Sequence, residues 1–130
     1  MFTRRFLLGL FGTGALFGGA KVAARPAGAR APVLLLRSRV NGERYYDAFD
    51  AVEELAVGVP LTLRREPDNA YDRRAIEVLD RGGRKLGYLA RVDNPAVARM
   101  IDAGERFTAT VSRFDARTLD IGVDVHWLPA

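Results

Sequence analysis

The chain predicts a mainly β fold with one or two short helices, arranged as a small antiparallel barrel or curled sheet. Three observations carry this. Runs of alternating apolar and polar residues recur between Val33 and Val125, the period-2 mark of strands with one buried face. Turn-forming residues separate these runs at short intervals. A clear helical period occurs once, and many short strands with regular turns favour a barrel or a curled sheet.

Taken in order, Val33–Val40 begins as an apolar run and ends in alternation, which reads as a strand. Asn41-Gly42 is a strong turn signal. Arg44-Tyr45-Tyr46 is expected to begin the next extended segment, and Asp50–Val57 fits either a short helical turn or a loop. Leu61–Arg65 alternates as a strand, and Glu66-Pro67-Asp68-Asn69 has turn chemistry. Ala75–Leu79 and Lys85–Leu89 read as a strand pair around the loop Asp80–Gly83. Gly87, inside the second of these, marks a bulge or a close backbone approach. Asp93 or Asn94 can cap a helix that has Pro95 at its first position. Val97, Met100 and Ile101 give that helix one apolar face, and Gly104 ends it. Phe107–Phe114 and Leu119–Val125 alternate as the last two strands, joined by a turn at Asp115-Ala116-Arg117.

The composition is that of a globular chain, with 48% hydrophobic and 28% charged residues among 130. One domain is therefore expected. Without cysteine there are no disulfides, thiolate metal sites or thiol nucleophiles, and His126 is the lone histidine. A structural zinc site, which needs about four ligands, mostly Cys and His, is therefore not expected. The net charge of +4 hides an asymmetry. Five of the 20 basic residues precede position 31, where there is no acid, leaving 15 bases against 16 acids beyond it. Nucleic-acid contact by the folded part must then come from a local patch.

Residues 1–31 read as an export signal and cleavage region, and residues 32–130 as the folded domain. Arg4 and Arg5 form a basic start, Phe6–Ala20 is apolar but glycine-rich, and small residues precede candidate cleavage points after Ala24 and Ala29. These are signal-peptide features, and the apolar run is shorter than the roughly 20 residues of a membrane span. Thr3-Arg4-Arg5-Phe6-Leu7-Leu8 resembles a twin-arginine export signal, without the spacer residue that follows the arginines in that pattern. A general secretory signal and an uncleaved membrane anchor are the alternatives. The expected location is periplasmic, with membrane contact only through this segment.

Leu63–Val78 is the most specific stretch of the chain. Its Arg65-Glu66-Pro67-Asp68-Asn69-Ala70-Tyr71-Asp72 turn leads into Ala75-Ile76-Glu77-Val78. It resembles the signature of the HIRAN domain, with Ala70 where the family often has proline. Lys85-Leu86-Gly87-Tyr88-Leu89-Ala90-Arg91 matches the element that follows, and Arg44-Tyr45-Tyr46 an upstream aromatic element. The resemblance implies a modified OB-like barrel with a pocket for a single-stranded DNA terminus bearing a free 3′-hydroxyl. Family members are often attached to helicase-like remodelling ATPases. This chain has no glycine-rich phosphate loop, so no motor activity carries over.

Within that resemblance the expected nucleic-acid-binding residues are Arg44, Tyr45, Tyr71, Asp72, Arg91 and Phe114. Tyr45 and Tyr71 would stack on terminal bases, each worth about 1–3 kcal/mol, or else serve as core aromatics. One of Tyr45 and Tyr46 packs inward; periodicity does not fix which, and the resemblance favours Tyr45 in the pocket. Asp72 repels phosphate but accepts a bond from a hydroxyl, and it equally suits a turn aspartate that caps backbone N–H groups. Arg44, Arg91 and Lys85 are candidates to neutralise terminal phosphates or to be solvated surface charges. Phe114 is an apolar pocket edge or a core aromatic, and Tyr88 a pocket wall or a core residue.

No catalytic constellation emerges. Ser38 and Ser112 have only His126 as a partner, and Glu53-Glu54 and Asp68/Asp72 would hold a cation weakly at best. A monomeric binding module is expected, with no enzymatic activity, cofactor or metal. Its partner is a single-stranded DNA end contacted through few phosphates and hence with a shallow salt dependence. The alternative is an exported scaffold for a protein or small ligand.

Overall fold

The computed structural model describes residues 30–130. The expected export signal lies outside the described residues, apart from its last two positions. Among these residues six strands form: β1 (Val33–Asn41), β2 (Pro60–Arg65), β3 (Ile76–Leu79), β4 (Lys85–Leu89), β5 (Arg106–Asp115) and β6 (Asp120–Leu128). One helix, α1 (Asn94–Asp102), lies between β4 and β5. The strands close into an antiparallel barrel in the order β1-β4-β3-β2-β5-β6, with β1 also pairing β6. This is the small antiparallel barrel that the alternation predicts, OB-like as the family resemblance implies.

Period-2 patterning sets the core. Ile121, Val123 and Val125 of β6 are fully buried, opposite Val111 and Ala109 of β5. Ile76, Val78, Leu86 and Leu89 complete the interior from β3 and β4, with Val97 and Ala98 of α1 closing one side. Burying each large aliphatic side chain contributes about 1.5–3 kcal/mol. Val33, Leu34 and Leu35 remain exposed. That end of β1 pairs only with β6, and its register shifts between Leu34 and Leu36.

Two local expectations change. Arg44-Tyr45-Tyr46 does not begin a strand, because Glu43–Tyr45 is a 3-10 turn. Gly42 sits at φ 80°, which turns the chain so that the Tyr45 N–H reaches the Gly42 carbonyl at 2.9 Å. The undecided Asp50–Val57 segment contains a second 3-10 turn at Val52–Glu54. The expected cap of α1 also differs. Asp93 stands at the N-cap position, but its carboxylate accepts from the Ser38 hydroxyl at 2.7 Å rather than from the helix.

Gly87 fulfils the close-approach expectation. Its φ is +153°, and a Cβ there would lie 2.5 Å from the Asn41 carbonyl oxygen. Only glycine lets β4 lie this near the end of β1. The register of β3 against β4 shifts beside it, between Val78 and Leu79.

Candidate nucleic-acid interface

The turn between β2 and β3 is organised by Asn69. Its Oδ1 accepts from the N–H groups of Tyr71 (2.8 Å) and Asp72 (2.9 Å). Its Nδ2 donates to Glu66 at 2.7 Å and to the Tyr88 hydroxyl at 3.2 Å. A side-chain amide that folds the backbone back in this way is the usual work of asparagine in turns. The Tyr71 ring is left 87% exposed.

Arg65 ties this turn to the rest of the domain. Its guanidinium donates to the carbonyls of Ala75 (2.7 Å) and Arg73 (2.9 Å) and to both carboxylate oxygens of Asp102 at the end of α1. Bidentate arginine–carboxylate pairs fix direction as well as distance.

Beside the turn lies a cavity of about 280 Å³, near the small end of ligand sites. Tyr46, Tyr71 and Tyr88 supply aromatic surface to it, and Asn69, Asp72 and Arg91 supply polar groups. Tyr46 and Tyr88 meet edge-on with ring centroids 5.6 Å apart. The Lys85 ammonium sits over both rings at 4.3 and 4.2 Å. It also donates to the Tyr88 hydroxyl at 2.7 Å and lies 3.5 Å from Glu66 and from Glu77. Burial alone would lower the Lys85 pKa, but the Tyr88 hydroxyl and the Glu66 charge outweigh it and raise the pKa above its ordinary value. The Tyr88 hydrogen bond, with Asn69 and Lys85, holds the Glu66 carboxyl below its ordinary range.

Asp72 is the carboxylate of the cavity. Its Oδ1 accepts from the Arg74 N–H at 2.9 Å, and its Oδ2 accepts from the Asn94 amide at 2.8 Å. Arg91 stands 3.9 Å away. Burial acts to raise the Asp72 pKa, but these hydrogen bonds and the Arg91 and Arg74 charges outweigh it and bring it below its ordinary value. Asp72 therefore carries out the turn-capping role anticipated for it and stays ionised inside the cavity.

Among the six expected residues, Tyr71, Asp72 and Arg91 line one cavity. Tyr45 does not: the 3-10 turn aims it outward at 85% exposure, and Tyr46 lines the cavity instead. Arg44, on the same turn, is exposed and outside that lining. Phe114 packs against the core in register with buried Ile121. Lys85 is engaged by Glu66, Glu77 and Tyr88 rather than free for phosphate. Sequence reasoning missed Asn69 and Asn94. Asn69 had a usable signal, an asparagine two residues before Tyr71 in a polar turn. Asn94 had none, since only the tertiary contact separates it from Asp93.

The HIRAN domain family model matches residues 33–127. The helicase-like transcription factor of Oryctolagus cuniculus is 37% identical over 67 residues, 52% of this chain. The chain covers about 6% of the length of the curated relatives it matches. A crystal structure of a protein from Lactobacillus plantarum aligns at a TM-score of 0.73 and 35% identity, over 77% of this chain and 98% of that one. The HLTF HIRAN domain in its DNA-bound conformation, solved by NMR, aligns at 0.54 and 26% identity, over 74% of this chain and 78% of that one. The barrel, the turn after β2 and the family match agree, and the chain belongs to the HIRAN domain family.

Proposed function

We propose that this domain binds the 3′ terminus of single-stranded DNA in the cavity between Tyr46, Tyr71 and Tyr88, as a binding module without catalysis of its own. The observation that carries the reading is Asp72. An ionised carboxylate offers roughly four lone-pair positions. The Arg74 N–H and the Asn94 amide occupy two of them. The remainder suit a hydroxyl donor and repel a phosphate. The exposed Tyr71 ring offers a stacking face that tolerates any base, and Arg91 suits the phosphate behind the terminal nucleotide. A related domain solved in a DNA-bound conformation supports the same reading.

The location we propose is outside the cytoplasm, on the strength of the basic, apolar and small-residue pattern of residues 1–31 and its twin-arginine-like start. A second reading, a module that holds a periplasmic protein or small ligand, draws support from the balanced charge of residues 31–130.

The test is fluorescence anisotropy of the full chain with a labelled single strand ending in a 3′-hydroxyl or a 3′-phosphate. Tighter binding of the hydroxyl end is expected. Equal binding of both ends would remove the role of Asp72, and no binding of either would favour the second reading.

A further inference from the structure

A second groove opens from the same wall as the cavity. It measures about 760 Å³ and shares Tyr71, Asp72 and Arg91 with the cavity, then continues past Arg73, Arg74 and Arg99. We propose that this groove carries the phosphates on the 5′ side of a nucleotide held in the cavity, so that the domain grips a length of strand as well as its end. The proposal rests on the end-binding reading above.

Charge is the first argument. Both carboxylates of the groove have an arginine beside them. Asp102 is held bidentately by Arg65, and Asp72 is bonded by Asn94 with Arg91 beside it. Arg73, Arg74 and Arg99 are exposed, and among the described residues none of them has a carboxylate within 4.0 Å. Three unpaired guanidiniums therefore border one groove on a folded part whose acids and bases nearly balance. This is the local patch that the overall charge hides. Guanidinium is the side-chain group best matched to phosphate oxygens.

Continuity is the second argument. Tyr71 lines both spaces, so a strand whose last base stacks on that ring has its next phosphates beside the turn that carries Arg73 and Arg74. Arg99 faces them from α1, where its neighbour Ala98 is buried and its small side chain leaves the groove open. The Arg65 bonds to the Arg73 carbonyl and to Asp102 hold the two walls together. A groove prepared in this way needs little ordering when the strand arrives. It also makes the salt dependence steeper than contact in the cavity alone would give. Each phosphate contact to a single strand adds about 0.7 to the salt slope, so three add about 2.

The test compares 3′-hydroxyl oligothymidylates of two and eight nucleotides by fluorescence anisotropy, using the full chain and an R73Q/R74Q/R99Q variant. Among the described residues these three side chains make no hydrogen bond and no ion pair within 4.0 Å. Wild type should bind the longer strand more tightly. The variant should lose that gain, on the order of fivefold per arginine at 0.1 M salt from the same counterion slope, with dinucleotide affinity unchanged. The charge-keeping R73K/R74K/R99K variant should retain most of the gain. Wild-type dinucleotide binding without a length gain, or a gain that survives in the glutamine variant, would overturn the groove and leave the cavity reading standing. Wild-type binding of neither strand would instead overturn the cavity reading, and the groove with it.

Discussion

The Asn94 amide donates to Asp72 Oδ2 at 2.8 Å, joining the first residue of α1 to the turn before β3. Asn94 is only 2% exposed, so the donor end of the bond is shielded from water, where losing a partner is most costly. Asn94→Ala should therefore lower stability by about 1–3 kcal/mol, the cost of leaving a partly buried acceptor short of its donor. Urea denaturation at neutral pH measures this. An unchanged midpoint would mean that water takes the place of the amide.

Acid should weaken the fold in a defined window. Asp72, Glu66, Asp80 and Asp120 all have pKa values below the ordinary 3.8–4.5. Burial acts to raise Asp80, but the Arg84 and Gly82 N–H groups and the Arg84 guanidinium prevail. The Arg113 hydrogen bond leads the causes for Asp120. A depressed folded pKa gives stability that is fully present above the unfolded value and is lost as pH falls through the folded one. Thermal melts should show these contributions intact at pH 6 and declining progressively below about pH 4. Asp80→Asn should flatten part of that decline, and an identical acid slope in the variant would remove Asp80 from the account.

Tyr71→Ala should weaken single-strand binding by about 1–3 kcal/mol, one stacking interaction. The ring is 87% exposed, so stability should stay within about 0.5 kcal/mol of wild type. Anisotropy and a thermal melt on the same samples separate the two effects. Unchanged affinity would take Tyr71 out of the site.

Asp72→Asn should abolish the preference for a 3′-hydroxyl over a 3′-phosphate. It should also cost about 1–3 kcal/mol of stability, because the new amide cannot accept from both the Arg74 N–H and Asn94. A mutant that folds less stably yet discriminates as before would confine Asp72 to the turn.

Gly87→Ala should destabilise the barrel by about 1–3 kcal/mol or more, since positive φ and overpacking act together. The clashing atoms are the Asn41 carbonyl oxygen at 2.5 Å, which is backbone, and Val40 Cγ1 at 2.6 Å, which belongs to a buried core side chain. Chemical denaturation checks it, and a neutral result would mean that β1 and β4 separate at low cost.

The barrel was legible because its signals are local. Ile121, Val123 and Val125 alternate, Asn41-Gly42 turns, and Pro95 and Gly104 bracket α1. The site was legible only where a single turn carries it, as with Tyr71 and Asp72. A 3-10 turn of three residues has no periodicity, so the choice between Tyr45 and Tyr46 stayed open until Gly42 was seen to turn the chain. Phe114 reads alike as pocket edge or core residue until its pairing with Ile121 is known. Lys85 looks free in sequence because its partners are distant in the chain, Glu66 in the turn after β2 and Glu77 on β3. The cluster of Arg73, Arg74 and Arg99 arises from two segments brought together by tertiary structure.

Arg65 has a consequence for how the molecule moves. One side chain clamps the turn after β2, the start of β3 and the end of α1. The turn that carries Tyr71 and the helix wall of the arginine groove thereby share one clamp, and the turn cannot part from α1 without breaking these bonds. Local opening there is a concerted event rather than the independent fluctuation of an exposed loop.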